Sequence, residues 1–188
     1  MKIVNVLIDY DNVKSIEEKS IQDVNTNLSL IIRKLSDRIH GLIVDSEEIA
    51  CRLYGGWITL DRSYTDRASW LLSQVPRFRG RAGPLRVRVT LSLNLICRSD
   101  IHLVGTYRDG GQKMVDGMIS TDLIHLSGDM TQSLVLVSDD DDFVPGIIAG
   151  GMMRAKRQPI YILRKTKKIG SAPNDIFLES ANAILAEY

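Results

Sequence analysis

The chain predicts an α/β fold on a central, mostly parallel sheet, and three observations carry that prediction. Residues 3–8, 134–137 and 159–163 are short, almost wholly apolar runs with the composition of parallel strands buried on both faces. Between them, Leu28, Ile31, Ile32, Leu35 and Ile39, and later Val115, Met118, Ile119, Leu123 and Leu126, recur at helical spacing. Strand and helix therefore alternate, the order expected of a sheet covered by helices. At 188 residues the chain is long enough for one domain with its own core, spanning residues 1–188.

The first strand ends at Asp9, and Asn25, Thr26 and Asn27 offer caps for the helix that follows. A second strand is expected over Glu48–Tyr54, closed by Gly55 and Gly56. Thr65 or Asp66 caps a short helix carrying Ala68, Trp70, Leu71 and Leu72, which Pro76 stops. In the segment 76–99, Val87, Val89, Leu91, Leu93 and Leu95 alternate with Arg86, Arg88, Thr90, Ser92 and Asn94, a strand with one wet face. This basic segment reads as an insertion within the domain. Residues 104–107 follow as a further parallel strand, and a helix starting near Lys113 or Met114 runs to Gly128. After the strand at 134–137, Asp141 or Asp142 caps a helix carrying Phe143, Ile147, Ile148 and Met152. The strand at 159–163 and a closing helix over 176–185 complete the chain.

Composition narrows the function classes. With 44% hydrophobic and 25% charged residues the chain reads as soluble and globular. No apolar run approaches the roughly 20 residues needed to cross a bilayer, and MKIVNVLIDYDN meets acids too soon for a secretory signal. Cys51 and Cys97 form no C-x-x-C pair and sit in apolar surroundings, so both are expected as buried thiols in a reducing, cytoplasmic setting. The net charge of +1 hides an asymmetry. Arg77, Arg79, Arg81, Arg86, Arg88, Arg98 and Arg108 crowd the middle of the chain, and acids dominate from Asp116 to Asp142. A basic segment beside an acidic one suits an enzyme that acts on a polyanion through bound cations.

The acids supply the chemistry. Asp9 directly follows one predicted strand, and Asp139, Asp140, Asp141 and Asp142 directly follow another. Parallel strands would bring both groups to one edge of the sheet, the edge where ligands bind in such folds. Asp116 falls near a helix N-terminus, where unpaired N–H groups favour a carboxylate. Asp122 lies six residues further, about 9 Å along the axis, and points partly away. Within the run of four, Asp140 pairs with Asp142 and Asp139 with Asp141, because side chains two apart share a direction. Taken singly, each acid also fits a turn or a helix start; their meeting at one edge is what points to a site. Oxygen donors without Cys or His imply Mg²⁺ or Mn²⁺, held by Asp9, Asp116 and one of the two aspartate pairs, for hydrolysis of a phosphodiester by activated water.

The substrate side is read from the cations. Arg77, Arg79, Arg81, Arg86, Arg88 and Arg108 suit a phosphate backbone read without base contacts, with Lys113 closest in sequence to the acids. Lys165, Lys167 and Lys168 form a weaker second cluster. Trp57, Tyr64 and Trp70 are candidates to stack unpaired bases, Trp70 fitting a core position better. His40, His102 and His125 lack ligand spacing, and no glycine pair has the order of a P-loop.

Three blocks together resemble the NYN branch of the PIN-like nucleases. They are Leu7-Ile8-Asp9-Tyr10-Asp11-Asn12, Lys113-Met114-Val115-Asp116 with Asp122, and Val137-Ser138-Asp139-Asp140-Asp141-Asp142-Phe143. The resemblance spans about residues 3–163 and implies a PIN-like three-layer α/β sandwich and a Mg²⁺- or Mn²⁺-dependent endoribonuclease. It assigns catalytic roles to Asp9, Asn12, Asp116, Asp140 and Asp142, selects Asp9, Asp116, Asp140 and Asp142 as the metal ligands, and puts Asp122 in an accessory acid position; Asp11, Asp139 and Lys113 are further accessory candidates by their place in the blocks. RNA is the implied partner, single-stranded DNA a second polyanion that fits, and a homodimer through the inserted strands an option. Asp139 departs from the family's usual glycine, and the segment 76–99 is longer and more basic than its core requires. Two other readings compete. Asp9-Tyr10-Asp11 also resembles the opening of haloacid-dehalogenase-like phosphatases, with Asp9 as nucleophile and Asp11 as acid and base; an RNA-binding or assembly protein without turnover is the third.

Overall fold

A run such as Val4-Asn5-Val6-Leu7-Ile8 has no wet face, so it is stable only where helices cover both sides. The computed structural model places it so. It describes residues 2–78, 80–108, 111–154, 156, 158–165 and 175–188. Strand β1 (Ile3–Asp9) lies between β2 (Glu48–Tyr54) and β7 (Ser133–Val137), parallel to both. The seven-stranded sheet also contains β3 (Gly80–Ala82), β4 (Leu85–Leu91), β8 (Ile160–Arg164) and β9 (Ala183–Glu187), in the order β3-β4-β2-β1-β7-β8-β9. Among the described residues of this sheet, the β3–β4 pairing alone is antiparallel.

The period of two along the strands sorts the core into two layers. Val4, Val6 and Ile8 of β1 and Val135 and Val137 of β7 pack with α2 (Ile21–Leu42) and α3 (Asp66–Gln74). Leu7, Leu134 and Leu136 pack instead with α4 (Val115–Ser127) and α5 (Val144–Met153). The expected α/β fold with a mostly parallel sheet is therefore present, with helices on both faces. No helix among the described residues is long and apolar enough to cross a membrane.

Several element boundaries differ from expectation, each for a local reason. Helix α2 starts at Ile21, where the Ser20 hydroxyl accepts the Asp23 N–H at 3.3 Å. The expected caps Asn25, Thr26 and Asn27 are inside the helix, and buried Asn27 instead accepts the N–H groups of Ser15 and Ile16. The Thr65 cap is as expected, its hydroxyl accepting from Ala68 at 3.2 Å. The segment 76–99 supplies the short β3 and a full parallel strand, β4, whose alternate residues are buried. Residues 104–107 do not enter the sheet. The carbonyl of Gly105 accepts the Trp57 N–H at 2.8 Å, and β5 (Thr106–Arg108) forms a separate hairpin with β6 (Gly111–Lys113). At the C-terminus the expected long helix divides into α6 (Asp175–Ser180) and β9, because Asn182 adopts φ +56 between them. Cys97 is exposed while Cys51 is buried, so only one of the two thiols is in the core.

The Gly150–Gly151 pair is close packing. A Cβ at Gly151 would overlap the Ala181 carbonyl oxygen, which is backbone and has little room to retreat. Gly151→Ala is expected to destabilise the protein by about 1–3 kcal/mol, read as a lower urea midpoint at unchanged slope. An unchanged midpoint would mean that α5 and α6 approach less closely.

Candidate functional site

The register pairs Ile8 of β1 with Val137 of β7, so the next residues, Asp9 and Ser138, emerge side by side at the carboxyl edge of the sheet. Asp9 has no exposed surface. Its Oδ2 accepts from the Ser138 hydroxyl at 3.0 Å and from the side-chain amide of Asn12, which the single turn α1 (Tyr10–Val13) places beside it. Its Oδ1 is buried without a hydrogen-bond partner. Burial pushes the Asp9 carboxyl up to about 6; the bonds from Asn12 and Ser138 oppose the shift, and the charges of Asp116 and Asp11 add to it.

The four aspartates after β7 separate into two pairs. Asp139 accepts the backbone N–H of Lys165 at 2.8 Å and lies 3.4 Å from its ammonium. Asp141 accepts from the Arg164 guanidinium at 2.7 Å. Asp140, and not the expected Asp141 or Asp142, caps the following turn, its Oδ1 accepting the Asp142 N–H at 3.0 Å. The Asp140 N–H in turn donates to the Ser138 hydroxyl at 3.1 Å. Backbone of the run is thereby joined through Ser138 to Asp9.

Asp116 stands exposed in the first turn of α4, two residues after Met114, which adopts φ +68. Its carboxyl is raised by partial burial and by the charges of Asp140 and Asp142. The charge of Asp116 thus acts on Asp9, and those of Asp140 and Asp142 act on Asp116. Asn12 joins them through Asp9.

Other sequence-predicted residues are occupied elsewhere. Asp11 is paired with Arg67 and, at 2.7 Å, with Lys14; burial raises its carboxyl, but these cations outweigh burial and hold it low. Asp122 is fully buried, accepting from the Tyr54 hydroxyl and the Ile96 N–H at 2.7 Å each, with the Arg52 Nε 3.4 Å away. It anchors the 92–103 connection to the core. Lys113 and Arg108 are exposed on the β5–β6 hairpin, directly ahead of Asp116.

Arg86 and Arg88 pair with Glu47 and Glu48 at 3.8 and 3.5 Å. Arg86 is level with Glu48 and Ile3, six residues or about 20 Å along the strands from Asp9. Arg77 donates to Gln74. Arg79, the side chain of Arg81, Lys167 and Lys168 lie outside the described residues. Trp57 is fully buried against Tyr10 and offers no face to a base; Trp70 is partly buried and packs on the core, and Tyr64 is exposed. The three histidines are on the surface.

Sequence reasoning missed Arg164 and gave Lys165 only a place in a basic cluster. The available signal was two consecutive cations directly after an apolar strand, at the same sheet level as the aspartate run.

The donors at this edge are all oxygens, and Asp9 keeps one buried carboxylate oxygen without a partner, a set whose chemistry suits a hard divalent cation. Among the described residues, no group of three or more Asp, Glu, His or Cys is gathered closely enough to hold an ion as it stands. No family model, curated protein or solved structure matches the chain.

Proposed function

We propose that the protein is a Mg²⁺- or Mn²⁺-dependent endoribonuclease acting at the carboxyl edge of the sheet, as the resemblance to NYN-type PIN-like nucleases implies. The observation that carries the reading is Asp9: a buried carboxylate with an unpartnered Oδ1, beside the start of the aspartate run and within the field of Asp116. A carboxylate left so costs stability, and a cation or a substrate-bound water would remove that cost.

Asp9, Asp116 and Asp140 would hold the ion, with Asp142 adding charge, and water would complete the ligand set. When bound, the ion would lower the pKa of a water and neutralise charge on phosphate oxygens. Asn12 and Ser138 fix the orientation of Asp9 through its Oδ2. Arg108 and Lys113, directly ahead of Asp116 in the chain, would meet substrate phosphates near the acids; Arg86 and Arg88 lie toward the far end of the strands. RNA is the preferred substrate, with single-stranded DNA the comparison. The phosphatase reading needs Asp11 to give and take a proton, and its pairing with Arg67 and Lys14 weighs against that role.

The experiment is cleavage of a labelled RNA, and of DNA of the same sequence, with Mn²⁺, Mg²⁺ or EDTA. Wild type should cleave RNA only with metal, and Asp140→Asn should lose about a hundredfold or more in rate while keeping its circular dichroism. Equal rates for the two proteins, or cleavage in EDTA, would end the proposal. A phosphoenzyme trapped at Asp9 would replace it with the phosphatase.

A further inference from the structure

Four adjacent carboxylates repel one another, and something must decide which of them turn toward Asp116. The end of β8 makes that choice visible. Arg164, 1% exposed, donates to Asp141, and Lys165 engages Asp139 through both its N–H and its ammonium. The first and third acids of the run are therefore neutralised by the neighbouring strand, and the second and fourth remain to act on Asp116.

Lys165 does one thing more. Its ammonium donates to the backbone carbonyl of Asn12 at 3.1 Å, so one side chain spans the turn after β1 and the run after β7. Asn12 is also the residue that donates to Asp9. A chain of contacts thus runs from Asp139 through Lys165 and Asn12 to the buried carboxylate.

We infer that Lys165 is a positioning residue of the acidic site, tying the Asn12 turn to the aspartate run and, with Arg164, selecting Asp140 and Asp142 as the acids presented to Asp116. The inference deepens the nuclease reading and rests on it for its activity readout. Side chains that orient site residues typically cost ten- to a hundredfold in metal affinity or activity when removed.

The test compares wild type with Lys165→Met, Lys165→Arg and Asp139→Asn. It reads RNA cleavage, Mn²⁺ affinity by electron paramagnetic resonance, and the side-chain amide resonances of Asn12 in metal-free protein. Lys165→Met should move the Asn12 resonances, weaken Mn²⁺ binding, and lower kcat roughly tenfold with KM little changed. Lys165→Arg should recover most of the loss. Asp139→Asn should reproduce it, and joining it to Lys165→Met should add little. A raised KM at unchanged kcat, with a salt dependence shallower by about one ion, would make Lys165 a phosphate contact and overturn the positioning role. Asn12 resonances that stay in place would overturn it equally. If wild type does not cleave RNA yet Lys165→Met still moves Asn12, the nuclease reading fails and the positioning role stands.

Discussion

Asp9→Asn is expected to make the metal-free protein more stable by about 2–3 kcal/mol at pH 8 while abolishing cleavage. The carboxyl is raised from 3.8 to about 6, and each pKa unit is worth about 1.4 kcal/mol between protonation states. The folded chain therefore holds this proton more tightly than the unfolded chain does. As pH rises from about 4 to about 6, the unfolded state ionises first and wild type loses stability; above that window the penalty is complete. Below about pH 4 both states are protonated and the penalty vanishes. Asparagine never ionises, yet its amide oxygen can still accept from Asn12 and Ser138. The advantage of the variant should thus be greatest above pH 7 and near zero at pH 3.5, measured by urea unfolding in EDTA. Saturating Mn²⁺ should narrow the gap by stabilising wild type alone. A variant that is less stable at pH 8, or a difference independent of pH, would show that burial does not set the Asp9 proton affinity.

That prediction was partly legible in the sequence. An apolar run ending in Asp9 and another ending in the aspartate run identify parallel strands, and parallel strands put their ends at one edge. The helix bearing Asp116 was legible because Val115, Met118, Ile119 and Leu123 hold a clear period. What the sequence does not carry is pairing across distance. The choice among four like aspartates is made by Arg164 and Lys165, brought alongside by the β7–β8 register. Asp122 reads as a helical acid pointing partly away from the site, and its burial follows only when Tyr54, Arg52 and the Ile96 N–H are placed around it. The sequence shows Arg86 and Arg88 as cations on one strand face, and their ion pairs with Glu47 and Glu48 follow only from the β2–β4 register. Strand β9 was hidden for a different reason. Ala-rich sequence fits helix as well as strand, and the deciding feature is the left-handed Asn182, a conformation with only a weak signal in single residues.

The largest loss of stability is expected from a residue with no part in the acidic site. Arg154→Met should destabilise the protein by about 3–5 kcal/mol, because it removes the guanidinium donors from four partly buried carbonyls, of which that of Leu126 keeps a backbone donor, the Asp129 N–H. Arg154 is 6% exposed. Its Nε donates to the Gln158 carbonyl at 2.9 Å, its Nη2 to Gln132 at 2.7 Å, and its Nη1 to Leu126 and Asp129 at 3.4 and 3.3 Å. Those carbonyls belong to the end of α4, the turn into β7 and the turn into β8, so one guanidinium joins three connections on the side of the sheet opposite Asp9. Burial lowers its proton affinity and the Asp129 charge opposes that, which leaves a cation sustained mainly by carbonyl dipoles, including those at the α4 C-terminus. Methionine fills a similar volume and supplies no donor. Lysine keeps the charge but has three donors on one atom and cannot span the four carbonyls, so Arg154→Lys should fall between the two. Chemical denaturation at pH 7 checks the order, and at this chain length the Arg154→Met loss corresponds to a Tm lower by roughly 6–20 °C. Cleavage per folded molecule should be unaffected, the reverse of Asp9→Asn. A loss below about 1 kcal/mol would mean that water replaces the guanidinium at little cost and that the three connections hold without it.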